Sequence, residues 1–436
     1  MQTSLETLGE LERRLTMSVP VADIESEIQQ RLARLAKNVK VPGFRPGKVP
    51  LKLVAQQYGP QVRSDVISDS VKNTFADAIR DQNLRIAGNP RIEPKVEAAA
   101  PDQLEFSATF EVYPEVRVGD LSSVTVERPQ AEVSPEDVER TIEMLRRQRT
   151  RYERVSRAAA VGDRVIVDFK GKTGGIEFPG GQATDFPIIL GEGRMLPEFE
   201  TAVAGMTEGE TRTFALTFPA DYHGNEVAGK DAEFTLTTKS VEAGIVPDVD
   251  AEFARTFGIA SGSIDDLKAE IAANLKLELK RKIEVKVKEQ VFSALRQHAT
   301  FVVPKSLVEI ETQNMMQRMA TDMREQGMKA EDINLSPETF RAAAENRVAL
   351  GLILSEVVRT EALGAKPEQV KALVQEAAQT YEQPEAVVRW HYEKPERLNE
   401  FEGLAVEHNV VAWVLARANV VDRATAFAEL MGTTPA

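Results

Sequence analysis

Residues 165–171 read Val165-Ile166-Val167-Asp168-Phe169-Lys170-Gly171, with an apolar side chain at every second position from Val165 to Phe169. A period of two over so short a run predicts a half-buried β-strand. Thr211–Phe218 and Ala232–Val241 alternate in the same way, and Phe, Val, Thr and Gly are prominent throughout Val161–Glu242. Short strands of this kind predict an antiparallel sheet, with at least one helix near Glu198–Val203. Gly171, Gly174, Gly175, Gly180 and Gly181 are expected in turns between the strands, not ahead of a helix, which argues against a phosphate cradle.

Outward from this module the pattern changes on both sides. Leu11–Pro20 reads as a strand, and Ile24, Ile28, Leu32 and Leu35 give Val21–Val39 a helical spacing. Prolines and glycines interrupt Val41–Pro50, and a second helix covers roughly Leu51–Asn83. Leu104–Tyr113 alternates again, as a half-buried strand. A strand at Ser123–Arg128 and a charged helix at Pro135–Thr150 read as a connector. From about Asp248 the spacing is helical to the end. Ser263 with Asp266 three residues later is an acidic capping box. Beyond it Leu267, Ile271, Leu275, Leu279, Ile283, Val287, Val291 and Leu295 recur every four residues. That period drifts by about 40° per step against a 3.6-residue turn, so the stripe winds round the helix and needs partners on changing sides. Ser336-Pro337-Glu338 is a helix start, and Pro304, Pro367, Pro384 and Pro395 punctuate further helices. The reading is a multidomain α+β chain: an α+β domain at residues 1–115, a linker at 116–150, an antiparallel β domain with a short helix at 151–245, and an all-α domain at 246–436.

The 436 residues carry 54 Lys and Arg against 68 Asp and Glu, a net charge of −14, which is wrong for a globally basic nucleic-acid binder. With no cysteine, disulfide scaffolds, thiol nucleophiles and thiolate metal sites are excluded. The four histidines, His223, His298, His391 and His408, include no pair four residues apart, so no zinc-hydrolase motif is present and no metal or cofactor is expected. The opening MQTSLETLGELERRL has no apolar core of a secretory signal, and the longest apolar run, about seven residues around Val410–Ala416, is far short of the ~18 of a membrane span. A soluble, reduced, cytoplasmic chain with no membrane partner is expected.

Against that acidic background, Arg31, Arg34, Lys37, Lys40, Arg45, Lys48, Lys52 and Arg63 lie in a window without a single Asp or Glu. Such an excess suits phosphate groups and predicts a salt-sensitive affinity. At its centre stands Gly43-Phe44-Arg45-Pro46-Gly47-Lys48-Val49-Pro50, a turn presenting one aromatic and two cations, with an exposed Phe beside Arg as an anchor for a partner surface. The plainer alternative is that the cations solvate two helix faces and Phe44 tucks into the core. The stretch resembles the ribosome-attachment signature G-F-R-x-G-x-x-P of the bacterial trigger factor family, which Gly43, Phe44, Arg45, Gly47 and Pro50 match at every fixed position. The resemblance implies docking on the large ribosomal subunit, on a protein and nearby RNA beside the exit tunnel, through Gly43, Phe44, Arg45, Gly47, Lys48 and Pro50.

Residues 161–242 hold eight aromatics, Phe169, Phe178, Phe186, Phe199, Phe214, Phe218, Tyr222 and Phe234, but no Ser/His/Asp arrangement and no pair of carboxylates. Asp168 and Asp185 read as isolated acids and His223 stands alone. An apolar pocket without acid or base can still turn an X–Pro peptide bond, because the barrier of roughly 18–20 kcal/mol comes from amide resonance and needs no proton transfer. Gripping the proline ring in a dry site favours the twisted, less charge-separated amide. From Gly162-Asp163 to Val241 the segment resembles FKBP-type prolyl isomerases. The resemblance places Phe169, Phe178, Phe186, Met195, Leu196, Phe199, Tyr222 and Phe234 in the catalytic pocket, with the Tyr222 hydroxyl bonding a substrate carbonyl. Pro179 replaces the acid usual after Phe178 and Phe199 replaces a floor tryptophan, departures that bear on macrolide-type inhibitors. The alternative without function is that these aromatics are the core of a small β domain.

In the helical remainder Met315, Met316, Met319, Met323 and Met328 cluster. Flexible thioethers suit variable apolar partners, although ordinary helix core is their usual role. Met315, Met319 and Met323 are the candidates for contact with unfolded clients. The trigger factor resemblance covers the whole chain in order and implies a chaperone that binds nascent polypeptides at the tunnel exit and isomerises X–Pro bonds, cytoplasmic and partly ribosome-bound, with dimerisation off the ribosome left open. Two rivals remain: an isomerase whose helical part only recruits substrate, and an RNA-binding assembly factor with an inert FKBP-like module.

Overall fold

The computed structural model describes residues 3–39, 42, 44, 49–95, 102–222, 224, 227–329, 333–379, 381 and 383–432. They fall into two compact units, Met1–Arg128 with Val285–Asp422, and Pro129–Glu284 with Arg423–Ala436.

The first unit begins with β1 (Thr3–Thr7), β2 (Glu12–Pro20), α1 (Val21–Asn38), α2 (Leu51–Asp81), β3 (Ile86–Pro94) and β4 (Gln103–Val112). The sheet runs β1-β2-β4-β3, antiparallel throughout. Leu15 and Met17 of β2 meet Ala108 and Phe110 of β4 under α2, whose Phe75 stands edge-on to Phe110 with centroids 5.4 Å apart. Ile24, Ile28 and Leu32 of α1, spaced four apart, pack with Val54 and Val66 of α2. The two outer strands escape a reading by alternation: Thr3–Thr7 is polar and mostly exposed, and Ile86–Pro94 carries Pro90 and Pro94, tolerated because an edge strand needs fewer ladder donors.

Next come β5 (Arg117–Val118), β6 (Thr125–Gln130), α3 (Pro135–Gln148), β7 (Arg151–Val155), β8 (Arg164–Thr173), β9 (Ile176–Ile189), α4 (Pro197–Val203), β10 (Thr211–Thr217), β11 (Asp231–Ile245), α5 (Ala251–Thr256) and α6 (Ile264–His298). The second unit's sheet has the order β10-β11-β8-β9, with β7 also pairing β11, all antiparallel. Val165, Val167, Leu236 and Val241 are fully buried on its inner face. Only Gly174 and Gly175, both at positive φ, sit in a turn. Gly171, Gly180 and Gly181 lie within strands, against the sequence expectation: aromatic rings need the bare backbone of Gly171 and Gly181, and Gly180 adopts a positive φ. A smaller core joins Val138 and Ile142 of α3 to Phe253, Ala254, Leu267 and Ile271.

The period-four stripe of α6 is at least half-buried at all eight positions, and the boundary between the units falls inside the helix. The Ser263 cap forms on one side only. Its hydroxyl accepts from Asp266 N–H at 3.2 Å, but the Asp266 carboxylate takes the Ser261 hydroxyl instead of closing the box. The complete reciprocal box stands at α3, between Ser134 and Asp137.

The remaining elements are β12 (Ala299–Thr300), α7 (Lys305–Glu325), α8 (Pro337–Glu361), α9 (Pro367–Ala378), α10 (Pro384–Tyr392), α11 (Asn399–Leu415), β13 (Asn419–Ala424) and α12 (Phe427–Met431). Prolines open α8, α9 and α10, as expected. Two short strands interrupt the helical run: β12 pairs with β5 and β13 with β6. Local spacing could not announce them, since Arg128 meets its partner Asp422, at 2.6 and 3.0 Å, across 294 residues. Among the described residues no helix is long and apolar enough to cross a membrane, and no group of His, Asp and Glu could hold a metal ion.

Candidate functional site

Alternation along β8 turns Val165, Val167 and Phe169 inward and leaves Gly171 where a fourth side chain would stand. Opposite Gly171 on β11 lies Phe234, whose ring rests on the glycine so closely that a Cβ there would be 2.5 Å from Cε1. The Phe178 ring crosses the Gly181 backbone in the same manner, with 2.9 Å to a built Cβ. Two glycines within strands thus let two aromatic rings lie flat against backbone.

Around Phe234 the rings interlock mostly edge to face, the arrangement their quadrupoles favour. Phe199, delivered by the single α4 helix, stands 5.3 Å from Phe169, 5.3 Å from Phe214 and 5.5 Å from Phe234. Phe169 meets Phe186 at 5.6 Å and Phe234 at 6.0 Å. Phe178 touches Phe218 and Phe234 at 6.0 and 6.1 Å, and Phe218 lies 4.7 Å from Tyr222. Phe169, Phe199 and Phe234 are buried, whereas Phe178, Phe186, Met195, Leu196 and Tyr222 are only partly so. The eight candidates of the sequence reading therefore come together in one cluster with a buried base and a half-open rim. Phe214 and Phe218, left out of that set, belong to the same cluster; both sit on an alternating stretch, which was the available signal.

Asp163 is buried at the start of the module, where Arg157 grips both carboxylate oxygens at 2.6 and 2.9 Å and Ala160 N–H donates at 2.8 Å. Burial alone would raise this carboxyl, but the Arg157 hydrogen bonds, the Ala160 N–H and the guanidinium charge outweigh it and hold it below the usual carboxylate range. Committed to that ion pair, it is not a general acid for the aromatic cluster. Asp168 and Asp185 are not isolated acids: Asp185 N–H donates to Asp168 Oδ1 at 2.8 Å, and Lys239 reaches both. A bulge in β9 brings them together, which spacing along one strand does not reveal. His223 lies outside the described residues.

In the basic window, Gly43, Arg45, Gly47, Lys48 and Lys40 lie outside the described residues. Phe44 is 42% exposed, so it does not tuck into the core. Val49 is buried and Pro50 caps α2. Part of the positive charge is neutralised from beyond the window: Arg31 pairs with Glu27 and Asp69, both at 2.9 Å, and Arg63 with Glu25 at 2.6 Å. Arg34, Lys37 and Lys52 are exposed. On α7, Met315 and Met323 are half-buried and Met319 is exposed, so none of the three is closed core.

Three family models match the chain in order. Bacterial trigger factor protein matches residues 1–145, FKBP-type peptidyl-prolyl cis-trans isomerase residues 155–244, and the bacterial trigger factor C-terminus residues 263–416. The "Trigger factor" of Dechloromonas aromatica is 52% identical over 432 residues, covering 99% of each chain. That of Aromatoleum aromaticum shows the same identity and coverage. A solved structure described as "Promiscuous Substrate Recognition in Folding and Assembly Activities of the Trigger Factor Chaperone" aligns with 95% of this chain and 99% of its own, at 17% identity and a TM-score of 0.48. With relatives half identical from end to end, and an FKBP-type domain where the aromatic cluster lies, the chain belongs to the bacterial trigger factor family.

Proposed function

We propose that this chain is a ribosome-associated chaperone whose FKBP-type domain speeds rotation about X–Pro bonds. One observation carries the isomerase reading: the half-open rim of Phe178, Phe186, Met195, Leu196 and Tyr222 over buried Phe169, Phe199 and Phe234. Apolar rings strip water from a proline side chain and leave its amide in a medium of low polarity. There the twisted amide, which has lost its resonance charge separation, loses less solvation than the planar one. By its likeness to FKBP-type isomerases, the Tyr222 hydroxyl holds a substrate carbonyl. No proton changes hands, in keeping with an aromatic cluster that includes no acid or base among the described residues.

Docking belongs to Gly43, Phe44, Arg45, Gly47, Lys48 and Pro50, acting on the large ribosomal subunit beside the tunnel exit, and exposed Phe44 supports that reading. Nascent chains are held by weak apolar contacts in the helical part, with Met315, Met319 and Met323 as contact points. The protein works in the cytoplasm, partly on ribosomes. Isomerisation of a proline peptide, set beside protection of a proline-free aggregating client, tests the division of labour. Phe169→Ala and Phe234→Ala lower isomerisation by about tenfold or more, roughly 1.4 kcal/mol of transition-state stabilisation or above, while client protection persists. Tyr222→Phe, which keeps the ring, lowers it less. Parent rates in both Phe variants would remove the site; loss of both activities together would remove the separate chaperone surface.

A further inference from the structure

The aromatic cluster occupies one face of the second unit's sheet; an ionic group occupies the other. On β8, Asp168 stands between the inward-facing Val167 and Phe169, so alternation turns it to solvent. The ladders on both sides of that strand are irregular at this level. Between Thr238 and Ser240 the register with β8 shifts, leaving Lys239 as the extra residue of β11. Along the other edge Val167 faces Phe186 but Phe169 faces Ala183, so β9 also carries one residue too many. Within that bulge Asp185 adopts φ +53°, a left-handed conformation costly for a side chain other than Gly and tolerated best by Asn and Asp.

Both bulges are tied to Asp168. Its Oδ1 accepts the Asp185 N–H at 2.8 Å, and Lys239 Nζ lies 2.6 Å from Asp185 Oδ1 and 3.5 Å from Asp168 Oδ1. The Asp185 hydrogen bond, with the two carboxylate charges, holds the Lys239 ammonium above its ordinary value. The residue after Asp185 is Phe186, whose ring stands edge-on to Phe169 at 5.6 Å and 87°. Phe199 is carried by a helix, whereas Phe186 sits on β9 directly beside the bulge, so the bulge sets its position.

We infer that Lys239, Asp168 and Asp185 are positioning residues for the isomerase site, locking the β9 bulge from the solvent face so that Phe186 stays fixed as a wall of the proline pocket. The inference rests on the isomerase reading above and adds a reverse-side control to it. A wall that wavers weakens the grip on proline in ground and transition state alike, so the signature is a raised KM at nearly constant kcat.

The test uses the full chain and a proline peptide, with Phe169→Ala as control. Lys239→Met and Asp185→Asn each raise KM about threefold, on the scale of an exposed ion pair, with kcat changed by less than about 1.5-fold. Lys239→Arg restores most of the parent KM. In the parent, raising salt from about 0.02 to about 0.5 M screens the pair and raises KM, whereas Lys239→Met is flat over that range. Unchanged KM in both variants, with Phe169→Ala lowered about tenfold or more as expected, overturns the inference and spares the site. A fall in kcat alone reports fewer folded molecules and overturns it as well. Full activity in Phe169→Ala removes the isomerase site itself, and the clamp with it.

Discussion

Asp163 shows how one buried carboxylate ties down an otherwise apolar module. Its backbone also accepts from Leu190 N–H at 3.0 Å while its N–H reaches Ala160 O at 3.0 Å, so side chain and main chain fasten the same corner. Because its folded carboxyl lies below the unfolded value of about 3.9, the folded protein holds fewer protons there between the two values. The stabilisation is complete above the unfolded value and disappears as pH falls through the folded one. Asp163→Asn therefore costs about 1–3 kcal/mol at neutral pH, and the gap to the parent narrows below about pH 4. Urea unfolding followed by circular dichroism at pH 7 and pH 3 checks this; a gap of constant size would exclude the ion pair as its cause. Nothing in the stretch Gly162-Asp163 singles out this acid, since its partner Arg157 approaches through a turn.

At the level of elements, helices were the most readable. Val21–Asn38 and Leu51–Asp81 lie within two residues of expectation, because Ile24, Ile28 and Leu32 mark a buried face of the first and Pro20 and Pro50 mark where the two begin. The inner strands were equally plain, as β8 and β11 bury alternate side chains. What stayed hidden depends on distant partners: the polar edge strand β1, the β6–β13 pair, and the bulges that gather Asp168, Asp185 and Lys239. Capping chemistry was legible but misplaced. The full box belongs to α3, where Ser134 N–H donates to Asp137 Oδ2 at 3.0 Å and Asp137 N–H donates to Ser134 Oγ at 3.2 Å. Ser134→Ala lowers stability by about 1 kcal/mol, whereas Ser263→Ala, at a half-formed cap, lowers it by about half as much. Paired denaturant midpoints decide between them, and equal losses would contradict the ranking.

Across the whole molecule, the proposed docking and isomerisation belong to separate stretches of chain, residues 43–50 and 164–245. Replacing Phe44, Arg45 and Lys48 together by alanine abolishes cosedimentation with ribosomes and leaves peptide isomerisation at the parent rate. Undiminished cosedimentation would end the docking proposal. The aromatic cluster was legible nearly in full, but by two routes: alternation indicated Phe169 and Phe234 and the short helix Phe199, whereas Phe178, Phe186 and the loop residues Met195, Leu196 and Tyr222 came from the FKBP resemblance alone, since a loop has no periodicity to read. The basic window was overread, because Glu25, Glu27 and Asp69, which neutralise two of its arginines, lie outside it.

That neutralisation has a consequence for the proposed attachment. With Arg31 and Arg63 engaged inside the protein, at most six of the window's eight cations remain to displace condensed ions from RNA. A double-logarithmic plot of attachment constant against electrolyte concentration then has a slope no steeper than about −5, and the alanine triple variant flattens it by up to about two. On the proposed docking, a slope of that size still weakens attachment by up to about a thousandfold between about 0.05 and 0.2 M salt, so ordinary cellular ions alone tune how firmly the chain holds.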